Sequence, residues 1–195
     1  MAIEVVALDA MGVIYEAADD VSHLLLPYLR SKGCESSPNE INRLYRACSL
    51  GQFSSAEFWR RCGVSGSDAE YCSHHAMTPG MREFICDCQA LGLTVAVISN
   101  DVSEWSRLLR QRFALDALIA SWTISGDVGS RKPDKAIFDK ALRSLGVPPR
   151  NVFFFDDRPA NVASANRLGF RSALFTDAES SSRLLRSELS HDNPP

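Results

Sequence analysis

A chain of 195 residues, 45% hydrophobic and 23% charged, can bury a full core without metal or disulfide staples, as one domain or a domain with a modest insertion. Its net charge of −3 gives no overall basic footprint for nucleic acid. No apolar stretch approaches the roughly 18 residues of a membrane span, and Glu4 and Asp9 interrupt the only apolar run near the N-terminus, which argues against a signal peptide.

The expected setting is therefore cytoplasmic, with no nucleic acid and no membrane among the partners; the sequence carries no signal for oligomeric state. Six cysteines without a CxxC spacing read as reduced, mostly buried thiols. The four histidines show no zinc-binding spacing, and His74 and His75 read as ordinary polar helix residues.

In chain order, VVAL at residues 5–8 reads as a buried strand that stops at Asp9 and turns at Gly12. Residues 16–77 carry no strand signal. They hold three capping boxes instead, Ser37 with Glu40, Ser54 with Glu57 and Ser67 with Glu70. Ile41, Leu44 and Cys48, then Phe58, Trp59 and Cys62, follow at helical spacing. This predicts a small all-helical module inserted after the first strand. An insertion there lies over the end of the sheet where such folds bind ligands, so it is placed to act as a lid, with a purely structural bundle as the alternative. His23, Trp59, Arg60, Tyr71, His74 and His75 are its candidate specificity residues, although Phe58 and Trp59 read first as core.

From residue 78 onward, helical patterns alternate with short apolar runs. TPGMREFICDCQALG predicts a helix capped by Thr78, with Pro79 in its first turn and Gly92 as its stop. TVAVIS (94–99), ALIASWTI (117–124), NVFFF (151–155) and RSALF (171–175) predict strands covered on both faces, as in a parallel sheet. KPDKAIFDKALRSLG predicts a helix from Pro133 to Gly146, and RPANVASANRLG one ending at Gly169. The pattern implies an α/β fold: a doubly wound, Rossmann-like parallel sheet from residues 1–15 and 78–195, with residues 16–77 as a helical cap. Only the short tail SHDNPP reads as low in complexity.

Polar groups end or closely follow four of the strands: Asp9, then Ser99-Asn100-Asp101, then Lys132-Pro133, then Asp156-Asp157. Singly, each is an ordinary turn or cap residue. Together they are the set that handles a phosphate and a divalent cation at the face where such sheets bind ligands. Adjacent acids ending an apolar strand repel one another, and a hard cation such as Mg²⁺ relieves that. Lys132 lies just before a helix N-terminus, where a bound anion would offset its charge. Ser99 and Asn100 offer donors, and the turn at Gly12 brings backbone N–H groups toward an anion.

In these motifs the chain resembles the haloacid dehalogenase-like hydrolase superfamily, over almost its whole length. The matching stretches are LDAMGV, ISN ending at Ser99-Asn100, GSRKPDKAIF with Lys132, and FFDDRPANV with Asp156 and Asp157; GQFSSAEFW resembles cap sequence. The resemblance implies a nucleophilic Asp9 forming an aspartyl-phosphate, with Ser99 bonding the phosphoryl group and Lys132 neutralising it. It also implies Mg²⁺ held by Asp9, Asp156 and the backbone carbonyl of Met11, with Asp157 ligating or orienting a water. The implied substrate is a small phosphorylated molecule.

Met11 departs from the family pattern, in which phosphatases usually carry an acid there. Three readings stay open: a phosphatase acting on esters that leave without that acid, as in glucose-1-phosphate phosphatase-like members; a dehalogenase- or phosphonatase-like hydrolase; or a degenerate member that binds a phosphorylated ligand or a protein without turnover. A phosphonatase would need a cap lysine, and Lys32 is the insert's lysine.

Overall fold

The computed structural model describes residues 2–192; residues 193–195, the end of the SHDNPP tail, lie outside the described residues. β1 (Val5–Leu8), β2 (Thr94–Ser99), β3 (Ser121–Ile124), β4 (Val152–Asp156) and β5 (Arg171–Leu174) form one sheet in the order β3-β2-β1-β4-β5. Every pairing is parallel. Alternate residues of the inner strands enter two different cores. Val6, Leu8, Val97 and Phe155 pack on one side, and Ala7, Ala96, Ile98 and Phe154 on the other. That is why these strands show apolar runs and no polar alternation.

Helices α5 (Met81–Ala90), α6 (Ser103–Arg112) and α10 (Ala178–Asp192) supply Phe84, Trp105 and Leu185 to the first side. The short α7 (Ser125–Val128) follows β3, and α8 (Lys135–Leu145) and α9 (Pro159–Arg167) cover the second side through Phe138 and Ala165. The doubly wound α/β architecture is therefore as expected.

Several details differ from expectation. β3 begins at Ser121 because the preceding apolar residues close a turn, in which the N–H groups of Leu118 and Ile119 both bond the Leu115 carbonyl. β5 is an edge strand rather than one covered on both faces, and Leu174 is 48% exposed. Helix α5 starts at Met81, capped by Gly80 at φ +74°, not by Thr78. Pro79 and Gly80 form a turn that draws the Met81 N–H onto the Thr78 carbonyl, and the Thr78 hydroxyl is left buried without a partner. Helix α8 starts at Lys135 with Asp134 as its cap, two residues later than Pro133. Five of the six cysteines are buried, Cys86 is exposed, and none is paired.

The stretch after β1 is helical, with no strand among its described residues: a π-helical turn (Val21–Leu25) leads into α1 (Leu26–Ser31), α2 (Pro38–Cys48), α3 (Ser55–Arg61) and α4 (Asp68–Ser73). Ser37, Ser54 and Ser67 each accept the backbone N–H three residues on, as the boxes predicted. These helices share a core with α6. Tyr28, Phe58, Trp59 and Tyr71 cluster with Trp105, and Asp68 Oδ1 accepts both the Trp59 and Trp105 indole N–H groups at 2.7 Å. The insert is thus clamped to the sheet layer rather than hinged free of it. His75, expected to be an ordinary polar helix residue, lies beyond the end of α4 and is buried with both ring nitrogens unpartnered.

Candidate active site

Register brings the strand-end residues together. Leu8 pairs with both Val97 and Phe155, so Asp9 stands level with Asp156, and Ser99 lies one residue beyond on the other neighbour. The Asp9 N–H continues the ladder to the Phe155 carbonyl at 2.9 Å. Lys132 closes the group from the segment between α7 and α8. Its Nζ lies 2.8 Å from Asp9 Oδ1 and 2.6 Å from Asp156 Oδ2, and its side chain is fully enclosed.

Such a buried cation is stable only with its countercharges. Asp156 is further fixed by Asn161 Nδ2, 3.0 Å from both carboxylate oxygens, and by the Arg158 N–H at 2.8 Å. Asp9 Oδ1 also accepts the Ala10 N–H, while Oδ2 accepts no hydrogen bond among the described residues. Burial pushes the Asp9 carboxyl up to about 7; Lys132 pulls it down, and the Asp156 and Asp157 charges push it up again.

The expected anion-binding residues are used in three ways. The Ser99 hydroxyl is buried and unpartnered, hence free to donate. The Asn100 carboxamide is committed to the backbone of Lys132, accepting its N–H at 2.7 Å and donating to its carbonyl at 3.0 Å. It therefore fixes the lysine. The Gly12 N–H is likewise used, bonding the Tyr15 carbonyl at 2.8 Å. Gly12 has a different necessity: at φ +76° an added Cβ would sit 2.5 Å from Asp157 Oδ2.

These groups open on a cleft of about 410 Å³ that is lined by Asp9, Met11 and Asn100 on the sheet side. The insert contributes Asp19, Asp20, Asn42, Tyr45 and Arg46, and Arg131 and Arg158 complete the rim. None of the six specificity candidates named from sequence lines it. Trp59 and Tyr71 are buried among other rings, and Arg60 pairs with Glu57. Tyr71 does reach the cleft indirectly, donating to Asp20 at 3.3 Å; burial pushes the Asp20 carboxyl up to about 6. Asn161 was not singled out from sequence, although it lies within the FFDDRPANV stretch that was. The polar face of α2 had no comparable signal, because only docking decides which face looks inward.

Carboxylate oxygens of Asp9, Asp156 and Asp157 lie within 4.8 Å of one another. Asp157 Oδ1 is buried without a partner, and burial, then the Asp156 charge, raises its pKa. The Met11 carbonyl, at the adjoining turn, accepts no hydrogen bond among the described residues. An all-oxygen set with excess negative charge fits a hard divalent cation such as Mg²⁺.

A family model described as haloacid dehalogenase-like hydrolase matches residues 3–169. The chain is 32% identical over 155 residues to the haloacid dehalogenase-like hydrolase domain-containing protein 3 of Xenopus laevis, across 68% of this chain and 63% of that protein. It is 30% identical over 109 residues to flavin mononucleotide hydrolase 1 of Arabidopsis thaliana, across 55% of this chain and 44% of that protein. The chain thus spans less than two thirds of the length of these relatives. Among solved structures, a HAD family enzyme from Bacteroides thetaiotaomicron aligns with a TM-score of 0.81 at 18% identity, over 95% of this chain and 100% of that one, and its magnesium complex aligns equally well. At that identity the likeness is one of fold.

Proposed function

The chain belongs to the haloacid dehalogenase-like hydrolase family, and from that premise we propose that it is a Mg²⁺-dependent phosphatase of a small phosphorylated metabolite, with Asp9 as nucleophile. The observation that carries this reading is the buried Asp9–Lys132–Asp156 contact beside the unpartnered Ser99 hydroxyl. Asp9 Oδ2 attacks phosphorus, the phosphorus–ester oxygen bond breaks, and the alcohol leaves with a proton from solvent. Water then cleaves the aspartyl-phosphate, regenerating the carboxylate and releasing inorganic phosphate. Ser99 donates to a phosphoryl oxygen, and Lys132, held by Asn100, neutralises charge on both the phosphoryl group and Asp9. Preorganised charge of this kind is the main resource of phosphoryl transfer.

Asp9, Asp156 and the Met11 carbonyl would hold Mg²⁺, with Asp157 ligating or orienting a bound water. When bound, the ion supplies the positive charge that three crowded carboxylates and a phosphate need. Support comes from the all-oxygen donor set and from the magnesium complex of the Bacteroides thetaiotaomicron enzyme. The Arabidopsis relative is named for hydrolysing flavin mononucleotide, itself a phosphate monoester.

Met11 is a buried thioether on the cleft wall and can neither give nor take a proton. The favoured leaving groups are therefore those needing little protonation, such as a sugar 1-phosphate or an acyl phosphate. The phosphonatase-like alternative loses support because Lys32 pairs with Glu70 at 2.8 Å and does not line the cleft.

The test is phosphate release from a panel of phosphorylated metabolites, with Mg²⁺ or with a chelator, for the parent and for Asp9→Asn. Turnover that needs Mg²⁺ and disappears in the variant is expected. No turnover of any member, or a variant equal to the parent, overturns the reading.

A further inference from the structure

The cleft carries a second concentration of charge that the proposed reaction leaves unused. Helix α2 turns Asn42, Tyr45 and Arg46 toward it, a spacing of three and four residues that shares one helix face. Arg131 meets them from the sheet side, one residue before Lys132. Its guanidinium donates to Ser49 Oγ and lies 5.5 Å from the centre of the Tyr45 ring. Tyr45 in turn donates to the Asn100 carbonyl at 3.3 Å, which ties this wall to the end of β2. The arginine is thus braced rather than left to wave in solvent, and less side-chain freedom is lost when it binds an anion.

Neither Arg46 nor Arg131 forms an ion pair with a carboxylate among the described residues, whereas Arg60 and Arg61 of α3 both pair with Glu57. The cleft's own acids do not supply the missing charge. Asp19 and Asp20 feel the Arg158 charge, and neither forms an ion pair with Arg46 or Arg131 among the described residues. Asp101 is buried and accepts the Val102 N–H at 2.7 Å, burial raises its pKa well above the usual carboxylate range, and it forms no ion pair with Arg131 among the described residues. A positively charged corner therefore remains, next to the phosphate-handling groups and inside the same cleft. Guanidinium groups suit carboxylate and phosphate equally, through paired, charge-assisted hydrogen bonds.

We propose that Arg46 and Arg131 form an anion subsite, so that the substrate is a phosphate monoester carrying a second anionic group, either a carboxylate or another phosphate. The assignment of the first phosphate to Asp9 rests on the phosphatase reading above; the subsite itself is tested by binding, which needs no turnover.

Calorimetry on the parent protein with Mg²⁺ would compare three inert ligands: propylphosphonate, 3-phosphonopropionate and propane-1,3-bisphosphonate. At least about tenfold tighter binding is expected for one or both ligands with a second anion. The preferred one identifies that anion as carboxylate or phosphate. Arg46→Gln, an exposed position where folding is not at stake, should lose far more affinity for the preferred ligand than for propylphosphonate. Arg131→Gln should do the same. Equal binding of all three ligands by the parent, or variants that weaken all three alike, overturns the proposal. If the preference persists while the metabolite panel shows no turnover, the phosphatase reading fails and the subsite stands.

Discussion

Asp68 in the helical insert and Asp9 at the end of β1 are both carboxylates set against the same hydrophobic core, yet their surroundings are completed differently. Asp68 accepts two indole N–H groups at 2.7 Å and the Ser55 hydroxyl at 2.6 Å, so every polar group it meets is satisfied within the fold. Around Asp9, one carboxylate oxygen, the Ser99 hydroxyl and Asp157 Oδ1 have no partner among the described residues. An unmade hydrogen bond in a buried place costs roughly 1–3 kcal/mol. The first arrangement stabilises the fold; the second keeps its hydrogen-bonding capacity for a ligand. Around half-buried Asp68 the polar contacts close within the fold, whereas around buried Asp9 they are left open.

Substitutions can break this contrast. Trp105→Ala removes the ring at the junction of insert and sheet and takes one donor from Asp68, so urea unfolding should show a loss of about 3–5 kcal/mol. Activity per folded molecule should be retained, because Trp105 does not line the cleft. Ser99→Ala should do the reverse. Deleting a preorganised donor to the phosphoryl group should lower kcat/KM by about 10²–10³-fold. The melting temperature should hold steady or rise, since the hydroxyl has no partner to lose. A Ser99→Ala protein that unfolds more easily, or a Trp105→Ala protein that keeps its stability, would erase the distinction.

His75 sharpens it through pH. Burial depresses its imidazole to about 4, whereas the unfolded chain protonates it near 6.5. As pH falls from about 6.5 to 4, the unfolded state takes up a proton that the folded state refuses, and stability falls by up to about 3 kcal/mol. Asp20, raised to about 6, contributes a slope of opposite sign over much of that window. The difference between His75→Phe and the parent isolates the histidine: the variant should lose less stability on acidification, measured by chemical unfolding at pH 7, 5.5 and 4.5. Parallel curves would show that His75 is not buried neutral. The smallest effect belongs to Met11→Asp. Restoring an acid there should favour alkyl over aryl phosphates by about tenfold, since general acid catalysis matters most for poor leaving groups. An equal change on both would mean that protonation of the leaving group does not limit the rate.

What was legible in the sequence follows from short-range rules. Strand runs such as VVAL and NVFFF were readable because a strand buried on both faces has no polar alternation. The three serine caps were readable because a cap and its N–H partner are three residues apart. Asp9, Ser99, Lys132 and Asp156 were readable as a group because each ends or closely follows an apolar run. Where several groups compete for one partner, that kind of reading fails. Asn100 and the Gly12 N–H looked available for an anion, but Lys132 and Tyr15 take them.

The sequence by itself determined the alternation of strand and helix and the four polar strand ends, because each is a local property of residue type and spacing; that Met11 stands in place of an acid was implied by the family resemblance. Tertiary structure alone decided which faces of the insert look inward. Tyr71, a candidate substrate contact, joined Trp59, read first as core, in a shared aromatic core with Trp105, while Asn42, Tyr45 and Arg46 were turned to the cleft. Helical periodicity sets which residues share a face, but the energy that chooses the buried face comes from apolar surface contributed by distant segments, here α6.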